Sequence, residues 1–99
     1  MNIHDNTTQS QEGYLALLKC CSPIPRYWLG WTPESPTVLL IQITLVSPYP
    51  IELLWSIPGS EDEEEALTYP YISYWIPDSD WFELPPTAVD EICNFKWLE

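Results

Sequence analysis

The sequence offers few groups that could catalyse a reaction. Its one histidine, His4, lies in a polar segment where nothing is expected to hold a partner beside it. Nucleophilic catalysis by serine or cysteine needs such a base within reach. Asp78 and Asp80 could form an acid–base pair, but Pro-Asp-Ser-Asp is typical of a tight turn. The sequence therefore predicts a binding protein rather than an enzyme.

Metal and cofactor sites are equally hard to build from this sequence. His4 and three cysteines stand at no spacing that is usual for zinc ligands. Three scattered glycines cannot form a glycine-rich phosphate loop. We expect neither a metal nor a cofactor.

The aromatic residues point to a binding surface more directly. Arg26 is the only arginine and opens the segment Arg-Tyr-Trp-Leu-Gly-Trp. A guanidinium pairs with phosphate in a forked geometry, and indole rings stack on nucleobases with about 1–3 kcal/mol per base. We predict that Arg26 pairs with phosphate and that Trp28 or Trp31 stacks on a base. The carboxyl-terminal half offers further residues that could line the binding pocket, namely Tyr71, Tyr74, Trp81 and Asn94. The alternative interpretation is that both tryptophans are core or interface rings and that Arg26 bonds to a surface carboxylate.

The charge is strongly one-sided, with three Lys and Arg against fifteen Asp and Glu and a net charge of −12. Three basic residues cannot build the footprint that nucleic acid or an anionic membrane surface requires. Five consecutive acids occupy positions 61–65. They are compatible with a solvated loop, with mimicry of a nucleic-acid backbone, or with docking on a basic partner.

The cysteines and the apolar runs indicate the cellular compartment in which the protein is expected. Three cysteines, two of them adjacent, make a poor disulfide framework and indicate a reducing cytosol. The amino-terminal segment lacks the features of a signal peptide, and the longest apolar stretch, 38–46, is too short to span a membrane. We therefore expect a cytoplasmic protein.

Periodicity and turn signals predict an α+β domain over residues 11–99, after a disordered tail at 1–10. Apolar spacing favours a helix at 12–21 that Pro23 ends. Residues 60–66 read as an acidic loop with a helical turn at 64–67, and 77–80 read as a tight turn. A short helix at 88–93 has Thr87 as its N-cap and Asn94 as a left-handed C-cap. The predicted strands are 24–29 at a sheet edge, 38–46, 51–57, 71–76 with its hairpin partner 81–84, and the closing strand 95–98. The expected architecture is an amino-terminal helix packed on an antiparallel sheet of four to six short strands.

Two blocks covering about half the chain resemble a known family. The first runs from Tyr14 to Lys19, with Arg26 and Trp28 after it. The second comprises Pro-Tyr-Ile-Ser at 70–73, Trp-Phe-Glu-Leu-Pro at 81–85, the short helix, and the closing segment 94–98. These motifs are similar to those of the second Thoeris anti-defence family of phage proteins, which includes an anti-CRISPR relative.

The resemblance implies an α+β homo-oligomer in the host cytosol. Such a protein would act as a sponge, holding a cyclic ADP-ribose-type signal in pockets at subunit interfaces without cleaving it. Some relatives are similar in sequestering cyclic oligonucleotides. The alternative function is an acidic nucleic-acid mimic that inhibits a host nuclease or another basic defence protein, or a toxin immunity protein.

Overall fold

The structure is a computed structural model that describes residues 12–95, and its centre is a four-stranded antiparallel sheet. The strands are β1 (Glu12–Cys20), β2 (Arg26–Thr32), β3 (Ile51–Ser60) and β4 (Trp81–Phe82). They lie in the order β3-β1-β2-β4. The helices are α1 (Pro36–Val46), α2 (Glu63–Thr68), a 3-10 helix (Tyr69–Tyr74) and α3 (Pro86–Cys93). The predicted α+β class with one antiparallel sheet is confirmed. Among the described residues, no helix combines the length and apolarity needed to cross a membrane.

The predicted helix at 12–21 is wrong, because these residues form β1 at the middle of the sheet. Four consecutive residues, Leu15 to Leu18, are fully buried. Leu15 and Leu17 pack into a core on one face, while Ala16 and Leu18 pack into a smaller core on the other. A strand covered on both faces is apolar at nearly every position, and such a run also satisfies helical spacing.

The predicted strand at 38–46 is also wrong, because it forms α1. Ser35 is its N-cap and accepts a hydrogen bond from the backbone N–H of Val38 at 3.3 Å. Pro36 follows at the first helical position, where its fixed φ favours a helix start. Leu39 then packs on the sheet, in the smaller core. The helix-start signal therefore outweighs the β propensity of the Val and Ile residues.

The predicted strand at 71–76 is a 3-10 helix, Tyr69–Tyr74, which continues directly from α2. Pro70 occupies its first turn, so the extended aromatic pattern is broken at its start. The hairpin predicted between 71–76 and 81–84 is reduced to one bridge between Trp75 and Phe82. The turn at 77–80 lies where predicted, with Asp78 at φ 63°, a conformation that Asp tolerates well.

The remaining predictions are confirmed only in part. The acidic loop at 60–66 is wrong, because Ser60 ends β3 and Glu63 begins α2. The strand at 51–57 is confirmed and extends to Ser60, and the helical turn at 64–67 is part of α2. The strand at 24–29 is β2, which lies between β1 and β4 rather than at an edge. The helix at 88–93 is α3, with Pro85 rather than Thr87 as N-cap, and Asn94 has φ −102°, which is not left-handed. The tail at 1–10 and residues 96–98 of the closing strand lie outside the described residues, and Phe95 belongs to no strand.

The sheet carries helices on both faces. One face packs against α2, the 3-10 helix and α3, with the main core between them. The other face packs against α1 over the smaller core. This second face positions the groove described next.

Candidate functional site

A groove of about 550 Å³ opens where the β1–β2 turn meets the end of α1. Three segments supply its walls: the turn that follows Cys20, the last turn of α1 with the loop after it, and Trp81 from β4. Its wall is mainly apolar, from Pro23, Ile24, Ile43, Val46 and Pro48. Ligand pockets of roughly 300–1,000 Å³ with a mostly apolar lining are typical of small-molecule sites.

Arg26 is the one cation that lines this groove among the described residues. It is the first residue of β2, pairs with Cys20 across the sheet, and is exposed. A ligand that enters the groove therefore meets a solvated guanidinium. Such a group offers five N–H donors in a fixed fork, which matches carboxylate and phosphate oxygens.

Trp81 and Tyr49 add aromatic surface to the same groove. Trp81 pairs with Trp28 across β2 and β4, which fixes its backbone beside Arg26. The Ser47 hydroxyl accepts a hydrogen bond from the Tyr49 N–H at 3.1 Å and donates one to the Tyr49 carbonyl at 2.7 Å. The loop that carries the Tyr49 ring is thereby held in one shape.

The two tryptophans predicted for base stacking lie on opposite faces of the sheet. Trp28 packs on the smaller core, on the α1 side that also carries Arg26. Trp31 packs on the main core, and its indole N–H donates to the Gly59 carbonyl at 3.2 Å. Residues three apart in a strand point in opposite directions. Trp31 therefore does not share a site with Arg26.

The other predicted wall residues lie away from the groove. The Tyr71 hydroxyl donates to Glu91 at 3.0 Å, and burial, followed by Glu91, raises the pKa of that phenol. Tyr74 is exposed on the 3-10 helix. The Asn94 side-chain amide donates to the Asp90 carbonyl at 2.8 Å, within the end of α3. Of the seven predicted site residues, the structure brings Arg26 and Trp81 together in the groove.

The acidic run lies at the opposite end of the sheet. Glu12, at the start of β1, pairs with Ser60, which immediately precedes the run, whereas Cys20, at its end, pairs with Arg26. Glu12 and Cys20 are eight positions apart, a distance of about 26 Å at about 3.3 Å per residue. Two carboxylates of the run are used within the fold. Glu63 accepts from the Ser60 N–H at 2.7 Å, and Glu64 accepts from the Trp31 N–H at 3.0 Å.

The thiols and carboxylates form no metal centre in the part of the chain that the structure describes. Cys20, Cys21 and Cys93 are free thiols. Burial, and next the charge of Asp90, raise the pKa of Cys93, so this thiol is a weak nucleophile at neutral pH. Cys20 lines the groove, with its sulfur 3.9 Å from the Ser47 hydroxyl.

Sequence reasoning missed Tyr49, Ile24 and the apolar wall from α1. The available signal was the placement of apolar residues between prolines, in Pro-Ile-Pro at 23–25 and Pro-Tyr-Pro at 48–50. Prolines fix the backbone of such turns and leave the intervening side chain exposed. Comparisons with protein-family models, with curated proteins and with solved structures gave no match to this chain.

Proposed function

We propose that this chain sequesters a cyclic nucleotide signal in the groove beside Arg26. The ligand class is a cyclic ADP-ribose-type molecule or a cyclic oligonucleotide of an immune pathway, as in phage anti-defence proteins. The observation that carries the proposal is the meeting of one guanidinium with the Trp81 and Tyr49 rings in a mainly apolar groove. Phosphate pairing and base stacking need these two kinds of group.

The electrostatics of the chain are compatible with an anionic ligand in spite of the net charge of −12. Within the acidic run, Glu64 accepts the Trp31 N–H, five positions from Arg26 along β2, which is about 17 Å at about 3.3 Å per residue. At physiological ionic strength the screening length is about 8 Å, so exposed charges at that distance exert little force. Arg26 is the charged residue in the groove lining and attracts an anion at short range, whereas Asp80, adjacent in sequence to Trp81, lies outside that lining.

The groove supports binding without chemistry. No histidine or carboxylate is among the described residues that line it, so neither Cys20 nor Ser47 has a base beside it there. Nucleophilic cleavage of a phosphodiester or glycosidic bond requires an activated nucleophile. A ligand held in this groove would be released unchanged, which is what a sponge requires.

The outer face of α1 supports assembly of several copies. No residue of α1 is charged, and Ile41, Leu45 and Val46 are exposed. Apart from Thr37, Gln42 and Thr44 the helix is apolar, and a helix with apolar residues over most of its surface is normally covered. Because Val46 also lines the groove, a second copy seated on α1 would extend the groove wall. Two chains that each carry a net charge of −12 can associate through this face, because the face carries no charge of its own.

The test is depletion of free ligand. The purified protein is incubated with cyclic ADP-ribose isomers and with cyclic di- and trinucleotides, filtered, and the ligand in the filtrate is measured. We expect one of these ligands to be retained and then recovered intact after the protein is denatured. Native mass spectrometry of the same sample reports the number of copies and the bound ligand.

Matched variants separate the groove from general charge effects. Arg26→Ala and Lys19→Ala each remove one positive charge, but Lys19 does not line the groove. Loss of a hydrogen-bonded charged group weakens binding by about tenfold or more, since such bonds contribute about 1.5–3 kcal/mol. Of these two charge variants, we expect Arg26→Ala to show this loss and Lys19→Ala to bind as the unchanged chain does. Tyr49→Leu should also weaken binding, whereas Tyr69→Leu, on the 3-10 helix, should not. Retention of no ligand, or equal loss in both charge variants, would contradict the proposal.

A further inference from the structure

A second, smaller recess lies at the edge of β2, where β4 ends. Its volume is about 270 Å³, and the residues that line it include the aromatic Trp28, Trp75 and Phe82, the apolar Ile72, and the acidic Glu64 and Asp80. The groove beside Arg26 shares none of these residues. Neither Arg26 nor Lys19, the two cations among the described residues, lines the recess.

The wall of the recess is held in place before any ligand arrives. The Trp75 indole N–H donates to the Ser79 carbonyl at 2.7 Å, which fixes the ring against the turn. The Ser79 hydroxyl donates to the Ile76 carbonyl at 2.7 Å and accepts from the Trp81 N–H at 3.1 Å. Asp80 follows Ser79 directly, so this network also positions its backbone. A preorganised wall binds with a smaller loss of conformational entropy.

The chemistry of the recess is opposite to that of the groove. Aromatic faces and carboxylates together attract ammonium and guanidinium groups, by cation–π attraction and by charge. Glu64 already accepts the Trp31 N–H, whereas Asp80 is exposed on the turn. Asp80 is therefore the carboxylate that is available to a ligand. The volume lies below the usual range for drug-sized ligands and suits a single side chain.

An apolar stripe leads from the 3-10 helix to this recess. Residues three apart in a 3-10 helix stand on the same side. Tyr69, Ile72 and Trp75 follow this spacing, and their exposed fractions are 71%, 53% and 42%. Ile72 and Trp75 also line the recess, so the stripe and the recess form one surface. A small free amine would leave the stripe uncovered, whereas a polypeptide segment would cover both.

We propose that this surface docks a basic segment of a partner protein, with one lysine or arginine side chain entering the recess between the indole rings and Asp80. The charge of the chain supports this occupant, because twelve of the fifteen acids fall in residues 51–99, which carry this surface. Opposite charge accelerates the encounter and selects basic partners. The inference does not rest on ligand binding in the groove.

The experiment uses NMR of the full chain, with the indole N–H signals of Trp28 and Trp75 as reporters. The probe is an acetylated and amidated peptide, Ala-Leu-Lys-Leu-Ala, and its control replaces lysine with norleucine, which has the same length and no charge. We expect the lysine peptide to shift both signals with a dissociation constant at least fivefold lower than that of the norleucine peptide. n-Butylamine should bind more weakly than the lysine peptide.

Two variants test the role of Asp80. Asp80→Asn removes the charge at the recess, and Asp78→Asn removes the same charge two residues away, outside the lining. Asn tolerates the positive φ of position 78, so the control keeps the turn. We expect Asp80→Asn to weaken the lysine peptide at least fivefold and Asp78→Asn to leave it within twofold.

Three results would overturn the docking proposal. They are equal binding of the two peptides, equal weakening by the two variants, and butylamine binding as tightly as the lysine peptide. Nucleotide depletion by the Asp80→Asn protein is measured alongside and should equal that of the unchanged chain. Failure of nucleotide binding at the groove and failure of peptide binding at the recess can therefore be distinguished.

Discussion

Two leucines of α1 provide a direct test of whether this segment forms a helix, as in the structure, or a strand, as its sequence predicts. Leu39 is 8% exposed and packs in the smaller core, whereas Leu45 is 79% exposed. Leu45 lies six positions after Leu39. In a helix, six steps of about 100° place two side chains about 120° apart. In a strand, any even separation places them on the same face.

Each leucine is replaced by alanine, and the free energy of unfolding is measured in urea. Burial of Leu39 in a small core predicts a loss of about 2–3 kcal/mol, at the low end for a buried Leu→Ala change. For a chain of this length that loss corresponds to a fall in Tm of roughly 10–20 °C. Leu45→Ala should change the stability by less than about 0.5 kcal/mol, as is usual for an exposed position.

Both variants are measured at two protein concentrations, one low enough to favour single chains. If a second copy covers α1, the cost of Leu45→Ala appears at the higher concentration only, because association stabilises by mass action. Equal losses from the two variants at low concentration would refute the helical assignment, since a strand covered on one face treats both positions alike.

Three further predictions concern single groups in the fold. Gly13→Ala should cost about 2 kcal/mol or more in urea unfolding, because a Cβ there would overlap the Thr32 backbone carbonyl oxygen. Glu64→Ala should cost about 1.5 kcal/mol in the same assay, because it removes the charged acceptor of the Trp31 N–H at the edge of β2. The pKa of Tyr71 is raised in the folded chain, so the folded state binds more protons than the unfolded state as the pH rises through about 10. Stability should then fall with pH in that window, and the fall should be smaller in Tyr71→Phe.

Each of these predictions has a control within the chain. Gly59→Ala brings a Cβ to 3.0 Å from the buried Leu15 side chain, which can give way more easily than a backbone carbonyl, so it should cost less than Gly13→Ala. Glu65→Ala changes an exposed residue of the same helix and should be nearly neutral. Tyr69→Phe removes the hydroxyl of an exposed residue of the same 3-10 helix and is the control for Tyr71→Phe. A result in which a control matches its test variant would contradict the corresponding contact.

The sequence predicts the fold class correctly but exchanges a helix and a strand. In β1, apolar residues at 14, 15, 17 and 18 satisfy helical spacing, yet they also suit a strand that is covered on both faces. The cover over the second face is α1, whose own run of Val, Ile and Leu favours a strand. The two errors are therefore linked, because each segment is explained only by contact with the other. Ser35 and Pro36 were the local signal that could have resolved both.

The site was predictable in part. Arg26 and Trp81 are both candidates from the sequence, and both line the groove. Trp31 could have been separated from Arg26 once its segment was taken as a strand, since odd separations change faces. Pro-Tyr-Pro at 48–50 marks Tyr49 as an exposed turn residue, but its place in the groove depends on how the end of α1 meets the β1–β2 turn, and this contact joins segments distant in the sequence.

The central position of β1 has a consequence for the order in which the chain acquires its structure. This strand is synthesised before the other three described strands, and β2 can pair with it soon afterwards, but its other edge waits for β3, whose residues follow some thirty positions later. Until then a nascent chain presents an apolar strand edge open to pairing with other chains. A fragment that stops after α1 would keep that edge permanently, so truncation products of this protein should aggregate while the whole chain does not.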